Sequence, residues 1–169
     1  MAYQYYRGFT VAEVLIVVAI LSILSAGFLS TNISNAFQRW QVQNALNQDV
    51  QMLLTGITRA RNLAVTSQHS IYLCGGQECD GDWSQLISLR MAESLTDINT
   101  WKLALETKMI WRGFPVSRQY IEFLPNGLSS YQNGSFYLCY DQEMARRILI
   151  NQSGRAYLDT AEYSAEVCQ

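Results

Sequence analysis

Between Val14 and Leu29 the chain is interrupted only by small residues, Ala19, Ser22, Ser25, Ala26 and Gly27. With Phe9 to Glu13 the run reaches about 21 residues, enough for a helix to cross a hydrocarbon core. Any water-soluble core is thereby confined to the residues that follow. The run carries one acid, Glu13, near its start. An acid at the centre of such a helix costs about 2.5–3.5 kcal/mol on insertion scales, less near an end, so it calls for a partner. A secretory signal peptide is the alternative, with Arg7 as a sparse basic region and LSAG as the cleavage site, and Glu13 argues against it.

The remainder suffices for one domain. The chain has 169 residues, of which 49% are hydrophobic and 15% charged, the balance of an ordered protein rather than a solvated, disordered one. A net charge of −2 and a pI of about 5.3 give no general attraction to nucleic acid or anionic lipid, so such binding would need a local patch. Cys74, Cys79, Cys139 and Cys168 all lie beyond the apolar run, an even set suited to an oxidising compartment. Of the three possible pairings, Cys74 with Cys79 closes a small loop and leaves Cys139 for Cys168. Zinc is the competing use, but the chain has one histidine, His69, and no paired C-x-x-C motifs.

No proline occurs before Pro115, so nothing stops a helix from about Phe9 to Val65, roughly 85 Å long at 1.5 Å per residue. STNISN, residues 30–35, marks the polar transition. Beyond it Leu46, Val50, Leu53, Ile57, Ala60 and Ala64 form an apolar stripe, with Gln48, Asp49, Arg59 and Arg61 elsewhere on the helix surface. The stripe is short and alanine-containing, which favours packing on a sheet over a coiled coil. After His69 the period changes to strand-like runs, SIYLC, SQLISL, WKLALE, QYIEFL, SFYLCY, RRILIN and RAYLD, divided by turns such as GGQECDGD, PNG, QNG and QSG. RMAESLTDINT, residues 90–100, reads as a loop projecting from the sheet. A long helix followed by antiparallel strands is an α+β arrangement.

Gly8 followed by FTVAEVLIVVAILSIL resembles the N-terminal processing site of type IV pilins and type II secretion pseudopilins. The resemblance implies that a prepilin peptidase/methyltransferase cleaves after Gly8 and methylates Phe9. It further implies that Glu13 neutralises the α-amino group of Phe9 on a neighbouring subunit, burying two charges together and setting the stagger between subunits. A second resemblance covers nearly the whole chain. IYLC, a glycine-containing loop to Cys79, Asp82–Trp83, FLPNG, GSFYLC and RRILINQSGR are similar to GspH/FimT-type minor pilins, FimU-like proteins among them. This chain departs from that pattern in having SQLI where a Gly-Trp pair is common, and Gly154-Arg155-Ala156-Tyr157 where Gly-Arg-x-Arg is. The implied organisation is a leader at 1–8, a transmembrane and assembly helix at 9–35, and a periplasmic pilin-like domain at 36–169 whose strands form two antiparallel sheets. The implied setting is the bacterial inner membrane, crossed once, with the domain passing into a pilus or pseudopilus. The implied partners are other minor and major pilins or pseudopilins.

Enzyme chemistry fails on inventory: one imidazole, no G-x-S-x-G elbow and no P-loop. His69 reads as a solvated strand-edge residue, and Asp80 with Asp82 as a polar turn rather than a calcium site. No cofactor and no metal are expected. Some FimT-type minor pilins act in DNA uptake, and for DNA the candidates are Arg146, Arg147 and Arg155 for phosphate and Tyr157 for stacking. Residues 141–169 set those three arginines against five acids, which ranks DNA binding below assembly. The function expected is that of a non-enzymatic minor pilin that helps initiate or cap a type IV pilus, with a pseudopilin of a type II secretion system as the nearest alternative.

Overall fold

Helix formation begins where Thr10 can cap it and continues through the proline-free stretch. α1 spans Val11–Phe28 and α2 spans Thr31–Ser67. The structure, a computed structural model, describes residues 8–28, 31–104, 107–116, 119–140, 144–161, 163 and 165–168, with side chains at all of these but 26–28, 31–33, 165 and 166. Apart from Gly8 the expected leader lies outside the described residues, as do positions 29 and 30 between α1 and α2. The chain forms two compact units, Met1–Gln41 and Val42–Gln169.

In the first unit α1 is apolar on every face, and from Val11 to Leu24 its large side chains are exposed. The Ser22 and Ser25 hydroxyls donate to the carbonyls of Val18 and Leu21, so these polar groups are satisfied within the helix. Among the described residues no helix is long and apolar enough to cross a membrane.

In the second unit the predicted stripe is the buried face of α2: Leu46, Val50, Leu53, Ile57, Ala60 and Ala64 are each at most 1% exposed. Asp49, expected on the helix surface, is buried too. Its carboxylate accepts the Ala104 N–H at 2.7 Å and the Thr107 hydroxyl at 2.8 Å, so a loop from the sheets satisfies it. Eight strands follow among the described residues: β1 (Ile71–Gly75), β2 (Ile87–Met91), β3 (Asp97–Trp101), β4 (Lys108–Phe114), β5 (Tyr120–Phe123), β6 (Asn133–Tyr140), β7 (Met144–Ile150) and β8 (Ala156–Leu158). They form two antiparallel sheets, ordered β3-β2-β1-β5 and β4-β6-β7-β8. Alternate residues, Ile71 and Leu73, Ile87 and Leu89, Ile121 and Phe123, Phe136 and Leu138, Ile148 and Ile150, enter one core with the α2 stripe.

Three expectations are corrected here. RMAESLTDINT is no projecting loop: Met91 ends β2, a tight turn follows, and Asp97 begins β3. β3 is a border strand with mostly exposed side chains, so it lacks the alternation that marks a half-buried strand. WKLALE is not a strand beyond Trp101, because Leu103 packs on the core from the loop that Asp49 holds. His69 sits in the turn after α2 rather than on a strand edge, its Nδ1 donating to the Ser67 carbonyl at 2.6 Å.

Sheet borders are closed by side chains. Gln132, 1% exposed, lies beside β5, its Nε2 donating to the Tyr120 carbonyl and its Oε1 accepting the Glu122 N–H. It holds the end of a tight turn in which Gln132 N–H donates to the Ser129 carbonyl. In that turn Ser130 and Tyr131 both adopt positive φ, of 46° and 60°. At the start of β4, Ser84 Oγ accepts the Met109 N–H and donates to the Met109 carbonyl.

Candidate functional site

At the N-terminus, Thr10 and Glu13 face each other across the first turn of α1. The Glu13 N–H donates to Thr10 Oγ1 at 3.3 Å, and the Thr10 N–H and hydroxyl approach Glu13 Oε2 at 3.3 and 3.4 Å. This is a capping box: two N–H groups that a helix start leaves orphaned are satisfied reciprocally, with the carboxylate at the positive end of the helix dipole. Phe9 is 86% exposed just before it, and nothing approaches Gly8 within 4 Å of where a side chain would begin. The T-x-x-E spacing was legible in the sequence as a cap, a role the assembly reading of Glu13 passed over.

The cysteines pair as Cys74–Cys79 and Cys139–Cys168. The first bridge closes the loop that carries Asp80 and Asp82, where Asp80 Oδ1 accepts the Asp82 N–H in a polar turn. Among the described residues no cluster of three metal-ligating side chains occurs. The second bridge pins the C-terminal 3-10 helix, Ala165–Cys168, over β6, in a small apolar cluster with Ala145, Tyr137, Tyr163 and Val167.

Of the four residues considered for DNA, Arg147 and Tyr157 share one groove, whereas Arg146 and Arg155 lie outside it. Arg146 and Arg147 are neighbours on β7 and point to opposite faces. Arg146 donates to the adjacent Ala145 carbonyl. Arg147 is committed to the tail: Nε donates to Ser135 Oγ at 2.9 Å, Nη1 donates to Tyr163 Oη at 3.0 Å, and Asp159 Oδ2 lies 3.5 Å away. Its guanidinium also stacks over the Tyr137 and Tyr163 rings. Tyr163 in turn donates to Asp159 Oδ2 at 2.7 Å. That hydrogen bond, ahead of the Ala161 N–H and the Arg147 charge, holds the Asp159 carboxyl below its ordinary range, and the bond to Tyr163 raises Arg147 above its own. Tyr157, half exposed, lines a shallow groove with Arg147, Ser135 and Leu149, while Arg155 is exposed in the turn before β8. Sequence reasoning missed Tyr163 and Asp159, because their meeting with Arg147 depends on the path the bridge imposes on the tail.

Comparison with known proteins follows the same division of the chain. Residues 49–154 match the family described as Type II transport protein GspH, and residues 4–29 match the prokaryotic N-terminal methylation motif. No curated protein is matched. Among solved structures the chain is similar to the type IV minor pilin FimU of Pseudomonas aeruginosa in two crystal forms. One has a TM-score of 0.60 at 18% identity over 75% of this chain and 98% of that chain. The other has a TM-score of 0.56 at 19% identity over 73% and 98%.

Proposed function

The chain belongs to the GspH family of type II transport proteins, and from that membership we propose that it is a minor pilin, a non-enzymatic subunit that helps initiate or cap a type IV pilus. The observation that carries this reading is the N-terminal methylation motif joined to the family's β domain, with Gly8, Phe9 and Glu13 placed where α1 begins. A prepilin peptidase cleaves after Gly8 and methylates Phe9, leaving an apolar helix whose side chains are exposed in the lone chain. That helix rests in the inner membrane before assembly and among neighbouring helices afterwards. The two disulfides favour a periplasmic location for the domain.

Glu13 has two partners on this reading. In the lone chain Thr10 satisfies it; in the filament the α-amino group of a neighbour's Phe9 replaces that weak, exposed contact with a charge pair. A minor pseudopilin of a type II secretion system is the second reading, favoured by the family's own description. DNA uptake is less well supported, because Arg147 is engaged by Asp159 and Tyr163 and the tail is acidic.

The test is processing and incorporation. Intact-mass analysis of Gly8→Val is expected to show the leader retained, because a side chain obstructs the peptidase at the cleaved bond. Glu13→Val is expected to insert normally and to be excluded from filaments. Normal processing of the first variant removes the pilin assignment; normal incorporation of the second removes the assembly role of the acid.

A further inference from the structure

β4 is a border strand, and its second half is open. Ser84 takes both backbone groups of Met109, so Met109 and the alternate residues Trp111 and Gly113 direct their N–H and C=O away from β6. No described residue bonds the outward groups of Trp111 and Gly113. The other borders are closed or short: Gln132 covers β5, β8 has 3 residues, and β3 breaks register at Leu89/Arg90 while Asn99 Oδ1 accepts the Thr100 N–H. Folded proteins blunt exposed edges in these ways, so an edge left open among closed ones marks a place where a strand is received.

The surroundings specify what is received. Trp111 folds its indole across Gly113 and Gly134, a position that any side chain at either glycine would occupy, and so leaves the border itself clear. Beside the open half lies a hollow of about 450 Å³ whose lining includes Trp83, Trp111, Val116, Gln119, Asp80 and Arg112, the guanidinium of Arg112 being engaged at the Val167 carbonyl and the Tyr137 ring. Among the described residues no cation pairs with Asp80. Phe114 and Val116 follow directly, 66% and 92% exposed. Two indoles and a carboxylate suit a long basic side chain, its methylene stem on the rings and its charge at the rim. The chain's own β4 is a poor occupant, since Arg112 is bound to the Val167 carbonyl at 2.6 Å and lies over the Tyr137 ring.

We propose that the Trp111–Phe114 end of β4 accepts an extended segment of another polypeptide as an added strand, and that a lysine or arginine of that segment fills the hollow beside Asp80. Backbone pairing supplies the affinity, and the basic side chain supplies the selectivity.

The test uses the full chain in lipid nanodiscs and a fluorescent peptide probe of about ten residues, alternating threonine and valine around a central arginine. The arginine probe is expected to bind and to slow amide exchange at Trp111 and Gly113. A glutamate-centred probe is expected to bind about tenfold more weakly, and a probe N-methylated at alternate amides not to bind. Asp80→Asn, which keeps the turn acceptor, is expected to abolish the preference for arginine over glutamate. The proposal is overturned if the arginine probe fails to bind, if N-methylation leaves binding unchanged, if exchange at Trp111 and Gly113 is unaffected, or if Asp80→Asn retains the preference.

Discussion

Tyr163 stands between a cation and an anion, accepting from Arg147 and donating to Asp159. Because the carboxyl of Asp159 is held below its ordinary value, its pairing stabilises the folded tail at pH above the ordinary value and loses that effect as pH falls through the depressed one. Tyr163→Phe removes the largest cause of the depression. The Asp159 titration followed by carboxyl NMR should therefore move upward in the variant, and the tail should loosen at a higher pH than in the parent chain. An unchanged Asp159 titration would show that the hydroxyl does not set it. Arg147 itself was legible only as a cation. Its sequence neighbours, Arg146 and Ile148, carry no sign of the ring and carboxylate that meet it, whereas Thr10 and Glu13 announce their contact by spacing alone.

Asp49 shows how an element can conceal a polar contact. It lies three residues after Leu46 and one before Val50, on the flank of the apolar stripe, and the β3–β4 loop reaches over to supply two donors. Asp49→Ala leaves the part-buried Ala104 N–H and the buried Thr107 hydroxyl without their acceptor. The expected loss is on the order of 3 kcal/mol, and less for Asp49→Asn, which keeps one acceptor oxygen. Urea unfolding of the full chain in detergent checks this, and a loss below about 1 kcal/mol for the alanine variant would mean that water replaces the contact. The α2 stripe was fully legible because helical period and burial coincide there. β3 was not, because a border strand with exposed side chains has no hydrophobic period to read.

For the chain as a whole, the order of a long helix followed by short strands sufficed to give the fold class, since both sheets and the helix stripe share one core in the second unit. The division of eight strands into two sheets rests on cross-strand pairing that no local pattern encodes. The Cys139–Cys168 bridge, with a sequence separation of 29, constrains the unfolded chain by roughly 3–4 kcal/mol in the loop-entropy account. Replacing both cysteines by serine should lower the denaturant midpoint accordingly, while a change under about 1 kcal/mol would place the stability of the tail in Arg147 and Tyr163 instead. The closed borders bear on how many neighbours the sheets can recruit. With Gln132 sealing β5 and Ser84 sealing the start of β4, the strand-addition proposal leaves these two borders a single pairing position, the Trp111–Phe114 end, a valence of one. In polymerisation a site of that valence ends a chain rather than extending it, so the proposed strand pairing at β4 is expected to join one pair of polypeptides and go no further.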